Sequence, residues 1–525
     1  MKFQFTPSLA LKIALFATGL CGIVAEYILS TLATYFIGDS VFQWTMVLSL
    51  MLFSMGVGSR ISRNFNHYLV EIFIATELLL AFLASYVGML TYVLMSYVRD
   101  IEWVIYPCSM AIGLLIGMEI PLATRINERY ETLRTNIAGM MEKDYYGSLL
   151  GGVFFAFIGL PYLGLTYTPF VLGIINFGVA VLLWWYLSDL VEVRFKWLFY
   201  TAQPVMLVLL VGGVIFAQPI VEWSEQKRYK EKVVFSKQTK YQKITITQWK
   251  SDYWLFINAS KQLCTFDEWL YHEPLVHPVM HLAADVRDVL VVGAGDGCAI
   301  REVLKYPRVR SITLVDIDPE MTKIGKEHLI FRALNKDAMH HAKVKIINQD
   351  AFTFLEKGTQ FFDVIIADFP DPLSVEVNRL YSWEFYRLCH AQLRPNGAMI
   401  TQAAGLHFSP LVYRCIDKTM QHAGFNTLPI HNHVYTFGEW AWIIGSKKLD
   451  KTRMKARLSK TSLKNIPLRW LTQDALMGLT AFGRDIVETD SSQIKVNTLQ
   501  NPVLYHYYQD GAWDKYFEEG LEEEG

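Results

Sequence analysis

Two rhythms of apolar and polar residues divide this chain. Up to about residue 218, apolar stretches of spanning length run on with almost no charge. From residue 221 onward, short apolar runs alternate with polar segments, as in an ordinary globular protein. A helix that crosses a bilayer needs about 20 apolar residues. By that measure the first region holds about seven spans, at residues 10–36, 41–57, 72–97, 103–122, 148–163, 169–187 and 197–216. The fifth is short, and its boundary with the sixth is soft. A charged linker follows at 222–232. Runs at 243–249 and 253–257 predict a small β-hairpin region. Apolar runs at 289–292, 312–315, 344–347, 364–367, 398–401 and 441–444 then alternate with helix-like segments. That order predicts a mainly parallel, doubly wound α/β sheet.

The expected fold is an N-terminal all-α polytopic membrane domain followed by a Rossmann-like α/β domain of the class I methyltransferase type. The expected domains are a multi-span region (1–221), a linker and hairpin (222–286), a nucleotide-binding catalytic domain (287–447) and a mixed extension with an acidic tail (448–525). Composition supports the membrane half: hydrophobic residues make up 52% of the chain, and mean hydropathy is +0.22. A net charge of -1 leaves no electrostatic footprint for nucleic acid. The six cysteines form no CxxC pair or zinc spacing and read as free thiols. The first apolar stretch is too long for a cleavable signal, and none is expected.

The densest chemistry lies at residues 288–318, DVLVVGAGDGCAIREVLKYPRVRSITLVDID. This reads as strand, glycine loop, helix, strand, acid. Gly293 and Gly295 let the backbone approach a ligand, and an acid about 20 residues on, Asp316, is placed for ribose hydroxyls. Ahead of the loop stand Tyr241-Gln242, Gln262 and DEWLYHEPLVHP (267–278). Behind it stand Asp350-Ala351, ADFPDP (367–372), LYSWEFY (380–386) and Gln402. In this order the motifs resemble the spermidine synthase (polyamine aminopropyltransferase) family over about 241–445. GMEIPLATR (117–125) and FGEW (437–440) resemble its membrane-attached, multi-span branch.

The resemblance implies decarboxylated S-adenosylmethionine as cosubstrate and an amine acceptor with putrescine as default; no metal is expected from the spacing of the histidines and cysteines. It implies that Gln242, Gln262, Gly293, Gly295, Asp316, Asp350 and Ala351 hold the nucleoside. Asp296 would pair with the ammonium of the aminopropyl arm. Asp368 would deprotonate the attacking nitrogen, with Tyr271 beside it, because an ammonium cannot attack. His272, Asp371 and Tyr435 would line the acceptor site. His431 and His433 show no carboxylate or cysteine partner at ligand spacing. Two departures matter. GAGDGC puts Ala294 and Cys298 where the family has glycine, and Gln402-Ala403-Ala404-Gly405 lacks the acid often found in the acceptor site.

Two other readings share the pattern. A methyltransferase would use the same loop but leaves DEWLYHE unexplained, and Asp296 would repel its donor's carboxylate. A non-catalytic polyamine sensor or transporter would use Glu26, Glu77 and Glu119, three carboxylates inside the spans, as a cation pathway. Such residues face a bundle interior or a wet cavity, or glue helices together when protonated. The expected partners are a lipid bilayer and a small polyamine, with a homo-oligomer left open and no nucleic acid.

Topology is in tension. Arg60, Arg63, Arg125, Arg129, Arg134, Lys143, Arg194 and Lys196 lie in alternate loops on the N-terminal side, and the opposite loops carry little beyond Arg99. The positive-inside rule puts that side in the cytoplasm. An odd number of spans would then put the catalytic domain outside, whereas its donor is made in the cytoplasm. One miscounted span would reconcile them. The expected location is a multi-pass cell (inner) membrane, with catalysis on the cytoplasmic face.

Overall fold

The long apolar runs form helices, in which backbone hydrogen bonds are satisfied within one segment. The structure, a computed structural model, describes residues 6–37, 40–95, 97–98, 100–407, 409–484 and 493–511. Arg99 and the acidic tail lie outside them. Two units, Met1–Val233 and Val234–Gly525, divide the chain.

The first unit contains α1 (Pro7–Ile37), α2 (Ser40–Ser62), α3 (Leu69–Met95), α4 (Glu102–Asn127), α5 (Leu133–Phe154), α6 (Gly164–Leu187) and α7 (Val193–Arg228). A π-helical stretch, Phe155–Leu163, continues α5, and Gly164, at φ 64°, breaks it from α6. By length and composition, six helical stretches suffice to cross a membrane when Leu133–Leu190 is taken as one.

Neighbour contacts give the helix directions. Phe16 and Leu20 of α1 meet Gly147 and Gly151 of α5, so these two helices run the same way. The lack of a side chain at these glycines is what lets the backbones approach. Gln43 meets Tyr106, and Arg125 donates to the Ser62 carbonyl at 3.1 Å, so α2 and α4 also run together. At one face Arg125 also donates to the Phe65 carbonyl, at 2.6 Å, and Glu71 accepts from the Glu192 N–H at 2.8 Å. At the other, Ser224 of α7 bonds the Tyr92 carbonyl of α3. The seven helices therefore alternate in direction. The basic loops share the face at which α1 begins, and α7 ends on the opposite face.

The second unit opens with four strands, β1 (Lys232–Gln238), β2 (Lys243–Trp249), β3 (Asp252–Ile257) and β4 (Ser260–Cys264), in the order β1-β2-β3-β4. The expected hairpin is the middle of this sheet. A seven-stranded sheet follows: β5 (Asp288–Gly293), β6 (Ser311–Asp316), β7 (Val344–Asn348), β8 (Phe362–Asp368), β9 (Leu393–Gly405), β10 (Asn426–Val434) and β11 (Gly438–Ser446). Its order is β10-β11-β9-β8-β5-β6-β7. β5 through β9 pair in parallel, and β9, β11 and β10 pair antiparallel.

Alternation along β5 fills both faces, as it must in a covered sheet. Val289 and Val291 pack toward α8 (Trp269–Leu282), and Leu290 and Val292 toward Phe385 and Tyr386. Because β5 lies between β6 and β8, the strand order reverses at its carboxyl end. Open α/β sheets bind ligands at such a point, and the glycine loop sits there.

Candidate active site

Register places the chemistry. Gly293, the last residue of β5, pairs with Asp368, the last of β8. At φ 76° Gly293 holds a conformation that side chains rarely adopt, and a Cβ would strike the Asp368 carbonyl. Gly295 lies against β6 in the same way: a Cβ there would come within 2.7 Å of the Asp316 carboxylate. The loop thus wraps Asp316. One Asp316 oxygen accepts from the Asp318 N–H at 2.8 Å. Burial, helped by the charges of Asp318 and Asp296 and opposed by that N–H, pushes the Asp316 carboxyl up to about 7.

Asp296, His272 and Asp368 bring one ligand atom each within 4.8 Å of one another. The Tyr271 hydroxyl donates to Asp368 Oδ1 at 2.6 Å. Burial pushes the Asp368 carboxyl up to about 6; Asp296 adds to the shift, while His272 and the Tyr271 hydroxyl oppose it. Tyr271 is fixed by Trp442, whose ring lies 5.2 Å away. Asp296 accepts from the Cys298 N–H at 2.8 Å, and His272 Nε2 stands 3.9 Å from Asp296 Oδ1.

Behind His272 lies a network that sequence reasoning missed. Glu268, one helical turn earlier, accepts from His272 Nδ1 at 2.8 Å and from both terminal nitrogens of Arg301 at 2.9 Å. A carboxylate four residues ahead of a histidine on one helix was the available signal. Burial disfavours the His272 charge, but Glu268, Asp296 and Asp368 outweigh it and raise its pKa to about 9. Burial likewise disfavours the Glu268 charge, and His272 and Arg301 outweigh it, bringing that carboxyl to about 2. His272 is therefore an imidazolium near neutral pH, facing two carboxylates. Glu268, His272 and Cys298 form a second close group, in which Glu268 is already engaged.

The other expected residues spread more widely. Gln242 donates to Asp318 at 3.0 Å, which ties it to the end of β6. Gln262 bonds Ser260 within its own strand, at 3.3 Å. Asp350 caps the helix Ala351–Lys357 through the Thr353 N–H, at 2.9 Å, and meets the Arg379 guanidinium. Ala351 is buried at the start of that helix. Asp371 accepts from Gln402 at 3.2 Å and from the Tyr508 hydroxyl at 2.9 Å, and burial pushes its carboxyl up to about 6. Tyr508 belongs to Val503–Gln509, far along the chain, and nothing in its sequence surroundings marked it. Tyr435 is 64% exposed and lies against Phe266 and His433; among the described contacts, none joins it to Asp368 or Asp371.

One expectation fails. His431 and His433 do have a carboxylate partner. The antiparallel β10–β11 hairpin sets Glu439 opposite His433, and its oxygens meet His431 and, at 3.4 Å, His433. The remaining nitrogen of His431 faces the Ala481 carbonyl at 2.6 Å.

Residues 268–456 match the family described as "Spermine/spermidine synthase domain". Over 502 residues the chain is 37% identical to "Polyamine aminopropyltransferase 2" of Aquifex aeolicus, covering 95% of this chain and 98% of that one. It is 33% identical over 510 residues to "Polyamine aminopropyltransferase" of Leptospira interrogans, covering 96% and 99%. It is 35% identical over 513 residues to the protein of the same name from Oceanobacillus iheyensis, covering 96% and 98%. These matches run through the helical unit as well as the sheet. Given that likeness, and the carboxylates gathered at the reversal of the strand order, the chain belongs to the polyamine aminopropyltransferase family and is an aminopropyltransferase.

Proposed function

We propose that this enzyme is membrane-bound and moves the aminopropyl group of decarboxylated S-adenosylmethionine to an amine, with putrescine as the default acceptor. The observation that carries the reading is the 2.6 Å bond from Tyr271 to Asp368, with Asp296 and the His272 imidazolium in the same cluster. Asp316 accepts from the ribose hydroxyls, Asp350, with Ala351, holds the adenine side, and Gln242 helps fix the nucleoside. Gln262 steadies the nucleoside from the small sheet. Asp296 faces the ammonium of the aminopropyl arm. Asp368 takes a proton from the attacking amine, and the Tyr271 hydroxyl sets the orientation of that carboxylate.

The nitrogen lone pair then forms the N–C bond. The C–S bond breaks with its electron pair staying on sulfur, which neutralises the sulfonium and releases methylthioadenosine. Alignment of nitrogen, carbon and sulfur supplies much of the rate. With putrescine the product is spermidine. Asp371, His272 and Tyr435 are assigned to the acceptor side. Gln402 stands there bonded to Asp371, and the neighbouring Ala403 and Ala404 offer no acid. Acceptor choice is therefore the part of the reading most specific to this chain. Purified enzyme given the donor and a panel of amines, with mass detection, tests it. An aminopropylated amine is expected; methyl transfer from intact S-adenosylmethionine would overturn the reading.

The long apolar helices support the membrane assignment, and the cytoplasmic supply of the donor supports placing the end of α7 on the cytoplasmic face. With seven alternating helices, the face carrying Arg60, Arg63, Arg125 and Arg194 then lies outside, against the usual charge bias. Labelling of R63C in intact cells by a membrane-impermeant thiol reagent tests this. Reaction from outside is expected, and protection would reverse the placement.

A further inference from the structure

Asp371 is the one carboxylate among the residues assigned to the acceptor side, because Asp368 is committed to the attacking nitrogen. Its two oxygens take donors from distant parts of the chain. Gln402 Nε2, on β9, donates to Oδ1 at 3.2 Å, and the Tyr508 hydroxyl donates to Oδ2 at 2.9 Å. The other end of the Gln402 amide is already used: Oε1 accepts from the Ala404 N–H at 2.8 Å. Gln402 therefore shows Asp371 only its donors. It does not replace an acid on β9; it serves the acid on the loop after β8.

Tyr508 is buried, and its position is built rather than incidental. It lies on the helix Val503–Gln509. Two fully buried asparagines tie that helix to the chain beyond β8. Asn378 Oδ1 accepts from the Tyr505 N–H at 3.0 Å, and Asn497 Oδ1 accepts from the Leu504 N–H at 3.3 Å. Asn497 Nδ2 donates to the carbonyls of Asn378, at 3.2 Å, and Tyr381, at 3.1 Å. The Tyr381 hydroxyl donates to the Pro370 carbonyl at 2.9 Å and meets Gln402 Nε2. The circuit thus closes on Asp371. A buried polar network whose groups are paired holds one geometry. Tyr271 and Tyr381 each lie within electrostatic reach of both Asp368 and Asp371, so the two carboxylates line one region. Tyr508 itself lies beyond residues 268–456, which match the family.

We propose that Tyr508 is a positioning residue that makes the enzyme prefer diamines to monoamines. Its hydroxyl aims the Asp371 carboxylate, and Asp371 holds the ammonium at the acceptor's second end while Asp368 takes the proton from the first. A carboxylate has about four lone-pair sites, so two protein donors leave room for an ammonium. Donors to the charged form also keep it ionised against burial; the hydroxyl and the amide both lower what burial raises. An acceptor with a single nitrogen leaves Asp371 with nothing to hold. This inference rests on the aminopropyl-transfer reading and adds to it a residue outside the matched domain.

The test uses the full chain. Tyr508→Phe removes one oxygen and keeps the ring. Transfer to putrescine is measured at steady state, and n-butylamine, the same carbon chain with one nitrogen, is measured as an inhibitor competing for the acceptor site. The KM for putrescine is expected to rise about fivefold or more, while kcat, donor affinity and the n-butylamine inhibition constant stay within about twofold, the pattern of lost acceptor binding alone. Because Tyr508 acts through Asp371, the two changes are not additive. Asp371→Asn is expected to weaken putrescine at least as much, and adding Tyr508→Phe to it to change KM by less than about twofold. An unchanged KM, equal shifts for putrescine and n-butylamine, or additive effects in the double variant overturn the proposal. A loss of donor affinity in Tyr508→Phe also overturns it, since the tyrosine would then support the fold. Transfer by the parent with any of these outcomes sinks this inference alone; a parent that transfers to no amine sinks the catalytic reading and this inference with it.

Discussion

Glu77 is fully buried and Asp368 half-buried, and their surroundings differ in kind. Asp368 sits at a strand end where register fixes its neighbours: a tyrosine hydroxyl on one oxygen, an imidazolium and a second carboxylate close by. Glu77 sits among helices that offer it no donor. In the sheet unit, each acid assigned a chemical role already has protein donors that set its direction, and the ligand completes the set. In the helical unit, Glu77 and Glu119 keep oxygens with no donor among the described residues. A buried acid with protein donors is held in one direction by them, and one without is not.

The harshest way to break this comparison is to remove the charge on the best-partnered acid. Asp368→Asn keeps the shape but not the base. Turnover is expected to fall on the order of 10²–10⁴-fold, with donor affinity nearly unchanged by calorimetry; near-normal turnover would make Asp368 structural. The same group sets the acid limb. With its carboxyl near 6, turnover rises with pH through about 6 as Asp368 loses its proton, and that limb disappears in the variant.

Next is the support behind the site. Glu268→Gln removes the carboxylate that His272 and Arg301 share, while Arg301 keeps Glu302 at 2.8 Å, so the cost is expected at the lower end of about 3–5 kcal/mol. Chemical unfolding of the full chain checks it, and a loss below about 1 kcal/mol would show that the network is dispensable. Its pH signature has a definite sign. His272 is raised from 6.5 to about 9 in the folded chain. Its stabilising contribution is therefore complete below pH 6.5 and is lost as pH rises through about 9. Glu268 is lowered from 4.5 to about 2, so its contribution is complete above pH 4.5 and is lost as pH falls through about 2.

A gentler probe is the donor. Asp296 favours an ammonium with no carboxylate beside it, so decarboxylated S-adenosylmethionine is expected to bind more than tenfold tighter than the intact molecule, above about 1.4 kcal/mol. Equal affinities would remove Asp296 from the donor site. The smallest effect concerns backbone strain. Ala294 takes φ 57° inside the glycine loop, a conformation that costs a residue with a side chain about 1–2 kcal/mol. Ala294→Gly is expected to raise unfolding stability by about 1 kcal/mol or less, once the greater freedom of glycine in the unfolded chain is counted; a loss would show that the methyl group packs productively.

Much of this was legible in the sequence, for reasons that can be named. β5, β6 and β8 are continuous apolar runs, so burial on both faces announced them, and the acids that end β6 and β8 were found with them. β10 was missed because Asn426–Val434 interleaves Pro429, His431, Asn432 and His433 with its apolar residues, and only pairing with β11 makes it a strand. The same pairing made the Glu439 partnership invisible, because contacts across a hairpin depend on register, not on spacing. β1 was missed because it is half polar and largely exposed, and β4 because it is short and half polar. In the helical unit, composition announced that glutamates were present, but only packing separated Glu26 from Glu77 and Glu119. Tyr508 had no local signal at all, since its meaning lies in a contact with Asp371, 137 residues earlier.

That last contact has a consequence for how the enzyme comes into being. Chains leave the ribosome N-terminus first, at about 5–20 residues per second. The seven helices emerge before any strand of the large sheet, and the hydroxyl that holds Asp371 emerges on the order of a minute after the first helix. An interrupted synthesis that stops anywhere before Tyr508 would leave every helix of the first unit made and Asp371 without that hydroxyl. Translation itself thus orders the events, and the helical unit precedes the completed sheet unit.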